Sequence, residues 1–440
     1  MRAIIYNSLW IILEKFCFAG AGIISAMYIA RYLGPENFGT LSYLVSIIAL
    51  ILPFIQLGSD NVLFNRIAKK PHSGMNLMIA SLRLKLMLFI IFSIGLITWA
   101  CYFLPLEHTE ILLVLLAGTF FTLRDIYKLY YDATLASKVN LVINNSVLVL
   151  FVATNLMFAW LQLSLIWFAF SLAVRSIIPY MVRKILFSRE QRAKGMRHKR
   201  RLKAKYSTFY NIYLLKVGFP LAISSLAIVI YTRIDQIMLA KFMGYHAVGI
   251  YSAALAISGG WVLVPMALIT SFMSTIASER DARRAGDRVR MLYMITLALC
   301  APVIVALGFF SKDIIQLIYG DAFMDSASIL LICGLTSLCS VLGTISYRII
   351  LMHSGYRFVA LKMPVIALLN IGLNYHFIPL FGIKGAALST LLSEVISLLV
   401  LNAMFKKGLV TYQLFSAYKS IPKFIIEVQN YVKSTRQASL

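Results

Sequence analysis

Residues 188–211, SREQRAKGMRHKRRLKAKYSTFYN, form a basic segment that divides the sequence into two halves. Apolar stretches long enough to cross a hydrocarbon core, about 20 residues each, occur on both sides of this basic segment. Hydrophobic residues make up 60% of the chain and charged residues 13%, which excludes a soluble globular domain. The sequence therefore predicts an all-α integral membrane protein whose two halves are joined by a basic linker.

About twelve membrane spans are predicted, six before the linker and six after it. Their ranges are 8–32, 39–63, 78–104, 111–136, 139–160, 163–183, 212–240, 247–277, 291–310, 327–350, 358–380 and 384–405. The predicted organisation is a six-helix lobe at 1–187, the linker at 188–211, a second six-helix lobe at 212–405 and a basic tail at 406–440.

The basic residues divide unequally between the two sides of this frame. Of the 42 Lys and Arg residues, 34 fall at the same side as the linker. The opposite side holds Arg31, Lys241, Lys312 and Lys384. Because Lys and Arg accumulate on the cytoplasmic side of membrane proteins, we expect the linker and both termini in the cytoplasm. The formal charge of +25 follows from this topology and from contact with anionic membrane lipids, so no nucleic-acid partner is expected.

The two halves also share a short repeat. An offset of 210 pairs Ala30-Arg31-Tyr32-Leu33-Gly34 with Ala240-Lys241-Phe242-Met243-Gly244, and Phe38-Gly39 with Val248-Gly249. Six spans bring the chain back to its starting side, so the second lobe enters the membrane in the same orientation as the first. This predicts a parallel repeat with a pseudo-twofold axis along the membrane normal.

Residues 28–39 (YIARYLGPENFG), 233–240 (RIDQIMLA) and 248–254 (VGIYSAA) resemble the polysaccharide biosynthesis flippases, the O-antigen translocase branch of the MATE-like superfamily. The resemblance implies a two-lobed, MATE-like bundle in a bacterial inner membrane. It also implies a flippase that moves an undecaprenyl-diphosphate-linked oligosaccharide, such as an O-antigen repeat unit, from the cytoplasmic to the periplasmic leaflet by alternating access. Membrane lipids and other polysaccharide-assembly proteins are its expected partners.

Charged residues inside a span cost about 2.5 to 3.5 kcal/mol each on insertion scales, so they normally face a partner or a watery cavity. The fourth span carries Arg124, Asp125, Lys128 and Asp132. On one continuous helix these side chains would share a face about 100° wide. We expect this face to line the translocation cavity, with Arg124 near mid-membrane contacting phosphate. Two further candidates, Tyr127 and Tyr131, would stack on sugar. The alternative is a set of ion pairs within the helix.

Other spans supply the remaining candidates. The cationic ones, expected to contact the substrate, are Arg175, Lys216 and Arg233. Arg233 and Asp235 lie about 200° apart on a helix and must point at different groups. The acidic residues expected to respond to a coupling ion are Glu394, Asp235 and Glu14. Because the deepest charged residues are mainly arginines, which bind phosphate through a bidentate fork, the lumen is predicted to suit an anionic head group.

Neither a metal nor a cofactor is expected. The five cysteines form no CxxC pair and the six histidines form no HExxH motif, so a metal site lacks its usual spacing. An enzyme is not expected either, because the outer loops are short and carry no paired-carboxylate, GxSxG or Walker motif. Two alternatives remain within the same fold: a peptidoglycan lipid-precursor flippase and a multidrug or cation antiporter.

Overall fold

The structure, a computed structural model, describes residues 2–69, 71–193, 204–279 and 281–420. These residues form helices and no strands. They fall into two compact units, residues 1–253 and residues 254–440. The predicted lobe boundaries at 187 and 212 stay a prediction, as does the linker, of which residues 194–203 lie outside the described part of the chain.

The first unit contains eight helices and the beginning of a ninth within the described residues. They are α1 (Arg2–Gln56), α2 (Ser59–Lys69), α3 (Pro71–Phe103), α4 (Leu106–Arg124), α5 (Tyr127–Ala133), α6 (Ser137–Trp160), α7 (Leu165–Ala193), α8 (Ala204–Met243) and α9 (Tyr245–Gly260).

The second unit holds the end of α9 and the remaining helices. They are α10 (Leu263–Ser278), α11 (Ala282–Phe309), α12 (Ser311–Ile318), α13 (Ala327–Met352), α14 (Tyr356–Phe381), α15 (Ile383–Val395), a π-helical turn (Ile396–Leu401) and α16 (Leu409–Phe415). Short 3-10 turns occupy Asp321–Ser326, Phe405–Gly408 and Ala417–Ser420.

Two glycines at equivalent positions of the repeat have a left-handed backbone. Gly34 has φ 73° and interrupts α1, while Gly244 has φ 84° and separates α8 from α9. A residue with a Cβ is strained at such a φ, whereas glycine is not. Pro35 follows Gly34 at the first position of the next helical segment, where its missing N–H costs nothing.

A close contact beside these turns is reciprocal between the two repeats. A Cβ at Gly39 would lie 1.8 Å from the carbonyl oxygen of Tyr245, and a Cβ at Gly249 would lie 1.9 Å from the carbonyl oxygen of Pro35. Tyr245 is the equivalent of Pro35, and Gly249 is the equivalent of Gly39, under the same offset of 210. Such exchange of equivalent partners is what a twofold relation produces, so the predicted repeat is confirmed at this pair of turns.

Small residues also bring other helices together. In the first unit α4 packs on α7, and a Cβ at Gly118 would lie 2.7 Å from the Cα of Ala173. In the second unit α14 turns into α15 at Gly382, which has φ 60°, and a Cβ at Gly385 would lie 2.0 Å from the carbonyl oxygen of Phe377. Helices in membranes associate through such close backbone approach.

The predicted all-α membrane class is confirmed. Ten helices among the described residues are long and apolar enough to cross a membrane. The pair 245–260 and 263–278, bent by 41°, makes an eleventh if it counts as one span. The predicted first span, 8–32, lies mostly among residues whose side chains are not described, so the number twelve and the cytoplasmic termini stay predictions.

Candidate functional site

Arg175 of α7 lies among α1, α6 and α8, inside the first unit. Its guanidinium carbon is 4.8 Å from the centre of the Phe151 ring, a distance at which a cation is attracted to an aromatic face. A terminal guanidinium nitrogen lies 3.7 Å from the place a Cβ at Gly22 would occupy. Because Gly22 of α1 has no side chain, it leaves room for the Arg175 guanidinium group.

Arg175 and Arg233 line one cavity of about 180 Å³, which we call the arginine cavity. Its other walls are Gly22, Ala26, Ile29, Phe38, Leu41, Ser42, Val45, Phe151 and Leu172. No acidic side chain is among these lining residues. Two guanidinium groups therefore lie against walls that are mostly apolar among the described residues, where a low dielectric strengthens electrostatic interactions.

Arg175 also lines a second space of about 390 Å³, the polar cavity. Lys128 is on its wall, together with four charged residues that form two ion pairs. Lys85 Nζ lies 2.6 Å from Asp60 Oδ1, and Arg183 is bonded to Asp125. Because Arg175 lines both spaces, it lies between the arginine cavity and the polar cavity.

Arg183 of α7 lines the polar cavity and binds side chains of α6 and of the break between α4 and α5. Its side chain is 2% exposed, its Nε donates to Asn140 Oδ1 at 2.8 Å, and a terminal nitrogen donates to Asn144. The Asn140 amide in turn donates to Asp132 Oδ1 at 2.8 Å. This network satisfies charges that hydrocarbon cannot solvate. Sequence reasoning treated Arg183 as one of the topology-setting basic residues and missed this role.

Residues 106–133 form one candidate span, but its helix is interrupted, and the predicted single charged face is wrong because Arg124 lines a different cavity from Asp125 and Lys128. α4 ends at Arg124, Asp125 has φ −80° and ψ 55°, and α5 begins at Tyr127. An Asp side chain can bond to nearby backbone groups in non-helical conformations, so Asp is unfavourable inside a helix. Here the Asp125 carboxylate is bonded to Arg183 of α7. The break turns Arg124 away from Lys128 and Asp125. Arg124 lines a separate space of about 490 Å³, the basic cavity, at the end of α4.

The two tyrosines predicted to stack on sugar lie in an aromatic cluster. Tyr131 is 4% exposed, and the Tyr127 ring is 5.0 Å from that of Phe187 and 6.1 Å from that of Tyr180. Neither lines any of the three cavities. Their positions favour packing.

The remaining candidates of the first unit with described side chains are Lys216, Arg233 and Asp235, and each has different surroundings. Lys216 is exposed on α8 and lines none of the three cavities. Arg233 faces the arginine cavity, whereas Asp235 is 3% exposed and accepts a hydrogen bond of 2.7 Å from the Tyr251 hydroxyl. The different surroundings of Arg233 and Asp235 are confirmed. Glu14 lies outside the residues whose side chains are described.

In the second unit Glu394 is 8% exposed at the end of α15, just before the π-helical turn. It interacts electrostatically with Lys362 of α14, whose Nζ donates to Asn402 Oδ1 at 2.7 Å. Turns of π-helix inside α-helices often mark functional positions. A carboxylate and an ammonium therefore lie together in a buried polar cluster.

No cluster of three or more His, Cys, Asp or Glu residues that could hold a metal ion occurs in the described part of the chain.

Comparison with known proteins identifies one matching family and two related proteins. Residues 4–277, more than half of the chain, match the family described as polysaccharide biosynthesis protein. Over 188 residues the chain is 32% identical to the probable flippase AglR of Haloferax volcanii, covering 40% of this chain and 38% of that protein. Over 214 residues it is 20% identical to the putative O-antigen transporter of Shigella flexneri, covering 47% and 50%. Each match spans half or less of the relative's length.

Two solved structures have the same fold along nearly the whole chain. The lipid II flippase MurJ in an inward closed conformation superposes with a TM-score of 0.69 at 15% identity, covering 97% of this chain and 93% of that one. An inward-facing multidrug resistance MATE family transporter of the MOP superfamily superposes with a TM-score of 0.67 at 15% identity, covering 92% and 96%. At this identity the likeness establishes the fold alone.

Proposed function

Because the chain belongs to the polysaccharide biosynthesis protein family, we propose that it is a flippase for a lipid-linked oligosaccharide. The substrate class is an undecaprenyl-diphosphate-linked unit of the O-antigen type, moved from the cytoplasmic to the periplasmic leaflet of a bacterial inner membrane by alternating access. The relatives named as a flippase and an O-antigen transporter support this proposal. Polysaccharide-assembly proteins are proposed as partners.

The arginine cavity is the observation that carries the proposal. A diphosphate cannot cross hydrocarbon unaided, because each charge faces a large desolvation cost. Arg175 and Arg233, with no acid among the described lining residues, would replace the water around one phosphate. A guanidinium keeps its charge and forms a two-pronged hydrogen bond with a phosphate.

The volume of the arginine cavity, about 180 Å³, is large enough for a phosphate head group but too small for a whole glycan. We assign the glycan to the polar cavity, because Arg175 lines both spaces and the second is larger and carries amide and charged side chains. Lys128 is the further substrate-contacting candidate there. A membrane potential negative inside favours outward movement of the diphosphate by about 2.3 kcal/mol per charge per 100 mV.

Replacing Arg175 tests the substrate site. In vesicles with the reconstituted protein, Arg175→Ala should abolish flipping of an undecaprenyl-diphosphate-linked oligosaccharide, measured as its exposure to a membrane-impermeant glycosidase. Arg175→Lys should restore only part of the rate, because lysine keeps the charge but loses the fork geometry. The exposed Arg357 supplies the control variant Arg357→Ala, which should flip normally. Full activity of a folded Arg175→Ala variant would exclude phosphate contact by this residue.

Glu394 is the proposed ion-responsive residue, since its carboxylate lies buried beside Lys362. In the same vesicles, flipping by Glu394→Gln should no longer respond to an imposed proton or sodium gradient. A wild-type response in this variant would place the coupling elsewhere. The hydrogen bond from Tyr251 to Asp235 favours a structural role for that second acid.

A further inference from the structure

The basic cavity between α4 and α7 is separate from the proposed transport site. Its nine lining residues are Phe121, Arg124, Tyr180, Met181, Lys184, Ile185, Ser188, Arg189 and Arg192. Four of them are cationic and none is acidic, and none of the nine lines the arginine cavity or the polar cavity. The function proposed above leaves this group of charges unexplained.

Aromatic rings hold the innermost cation in place. The Arg124 guanidinium carbon lies 5.2 Å from the centre of the Phe120 ring and 5.3 Å from that of Tyr180. Lys184 Nζ lies 5.7 Å from the same Tyr180 ring. Arg124 Nε is buried and has no hydrogen-bond partner among the described residues. The rings orient both cations without neutralising them.

The acids closest in sequence are bonded to other groups. Asp125 is bonded to Arg183 at the polar cavity, and Glu190 accepts from the Tyr130 hydroxyl at 3.4 Å. Four like charges around one space repel each other. A bound anion would relieve this repulsion.

The position and the walls of the basic cavity indicate where that anion comes from. Arg124 is the last residue of α4, and Lys184, Arg189 and Arg192 lie in the last ten residues of α7. Lys and Arg side chains near helix ends reach the membrane interface, where lipid phosphates lie. On the same wall Met181 is 49% exposed and Ile185 is 54% exposed, which provides an apolar surface for an acyl chain.

We infer that the basic cavity binds the phosphate of an anionic membrane phospholipid, with Arg124, Lys184, Arg189 and Arg192 around the head group and Met181 and Ile185 against its acyl chain. This site is distinct from the arginine cavity. It would anchor the ends of α4 and α7 in the leaflet that the charge distribution predicts to be cytoplasmic.

Native mass spectrometry of the full-length protein in neutral detergent tests this inference. Titration with phosphatidylglycerol should give tighter binding than titration with phosphatidylcholine. Arg189→Ala/Arg192→Ala should weaken phosphatidylglycerol binding by about fivefold per cation removed, and Arg189→Lys/Arg192→Lys should retain it. The matched control Arg283→Ala/Arg284→Ala removes two exposed cations elsewhere and should bind like the wild type.

Three results would overturn the inference. The first is equal affinity of the wild type and Arg189→Ala/Arg192→Ala for phosphatidylglycerol. The second is displacement of phosphatidylglycerol by inorganic phosphate in millimolar excess, which would make this a free-phosphate site. The third is displacement by undecaprenyl diphosphate but not by other anionic lipids, which would assign the site to the transported lipid. Arg189 and Arg192 are exposed, so their replacement leaves the packed core intact.

Discussion

At the scale of single residues, the charges inside this membrane protein divide into two kinds. Arg183, Asp125, Asp60 and Lys85 form ion pairs at the polar cavity and hold helices together. Arg175 and Arg233 line the arginine cavity, which has no acid among its described lining residues. The two groups of charges therefore have different surroundings, and only the second lies in the proposed substrate site.

Removal of Arg183 should destabilise the fold strongly. Arg183→Ala leaves the Asp125 carboxylate without its ion pair, and breaking one partner of a buried pair costs about 3 to 5 kcal/mol. The free energy of unfolding, measured by denaturant titration in mixed micelles, should fall by that amount. The neighbouring Lys184 is exposed, so Lys184→Ala should leave the free energy of unfolding nearly unchanged.

The double variant Asp125→Asn/Arg183→Met removes both charges, and we expect it to be more stable than Arg183→Ala for that reason. Equal stability of Arg183→Ala and Lys184→Ala would contradict the structural role of this ion pair.

At the scale of elements, close backbone contacts at glycine determine which helices pack together. The contact of Gly39 with Tyr245, and of Gly249 with Pro35, joins the two helical segments that follow Gly34 and Gly244. α4 shows the opposite behaviour. It is interrupted at Asp125 with no glycine or proline there, and the Asp125 carboxylate is bonded to Arg183 of another helix.

A single methyl group at Gly249 should therefore disrupt the fold. In Gly249→Ala the new Cβ would lie 1.9 Å from the Pro35 carbonyl oxygen, so α1 and α9 must separate. Fluorescence-detected size-exclusion chromatography of the solubilised protein should show aggregation or loss of the monodisperse peak. Gly259 lies on the same helix with nothing within 4 Å of its ideal Cβ, and Gly259→Ala should elute like the wild type. A normal profile for both variants would show that this approach is not required for folding.

At the scale of the whole molecule, the distribution of Lys and Arg predicts one orientation in the membrane. Arg284 belongs to the side with 34 basic residues, and Asp321 belongs to the side with four. Both side chains are exposed. In intact cells, a membrane-impermeant maleimide should therefore label Asp321→Cys but not Arg284→Cys, while permeabilised cells should show both. Labelling of Arg284→Cys in intact cells would reverse the topology and move the basic cavity to the outer leaflet.

The sequence by itself determined the membrane class, the repeat and the positions of the turns. These depend on properties that a chain carries locally: apolar length, the Lys and Arg count of each gap, and glycines at positions 34 and 244 where φ is positive. Arg175 and Arg233 were also identifiable, because a charge in an apolar span signals a cavity wherever its partner lies.

Only the tertiary structure decided which charges meet. Arg183 and Asp125 are 58 residues apart and form an ion pair, while Arg124 lies at a different cavity from Lys128. A helical wheel assumes a continuous helix, so it places Arg124, Asp125 and Lys128 on one face. The ion pair is a contact between distant segments, and no local pattern in the sequence records such a contact.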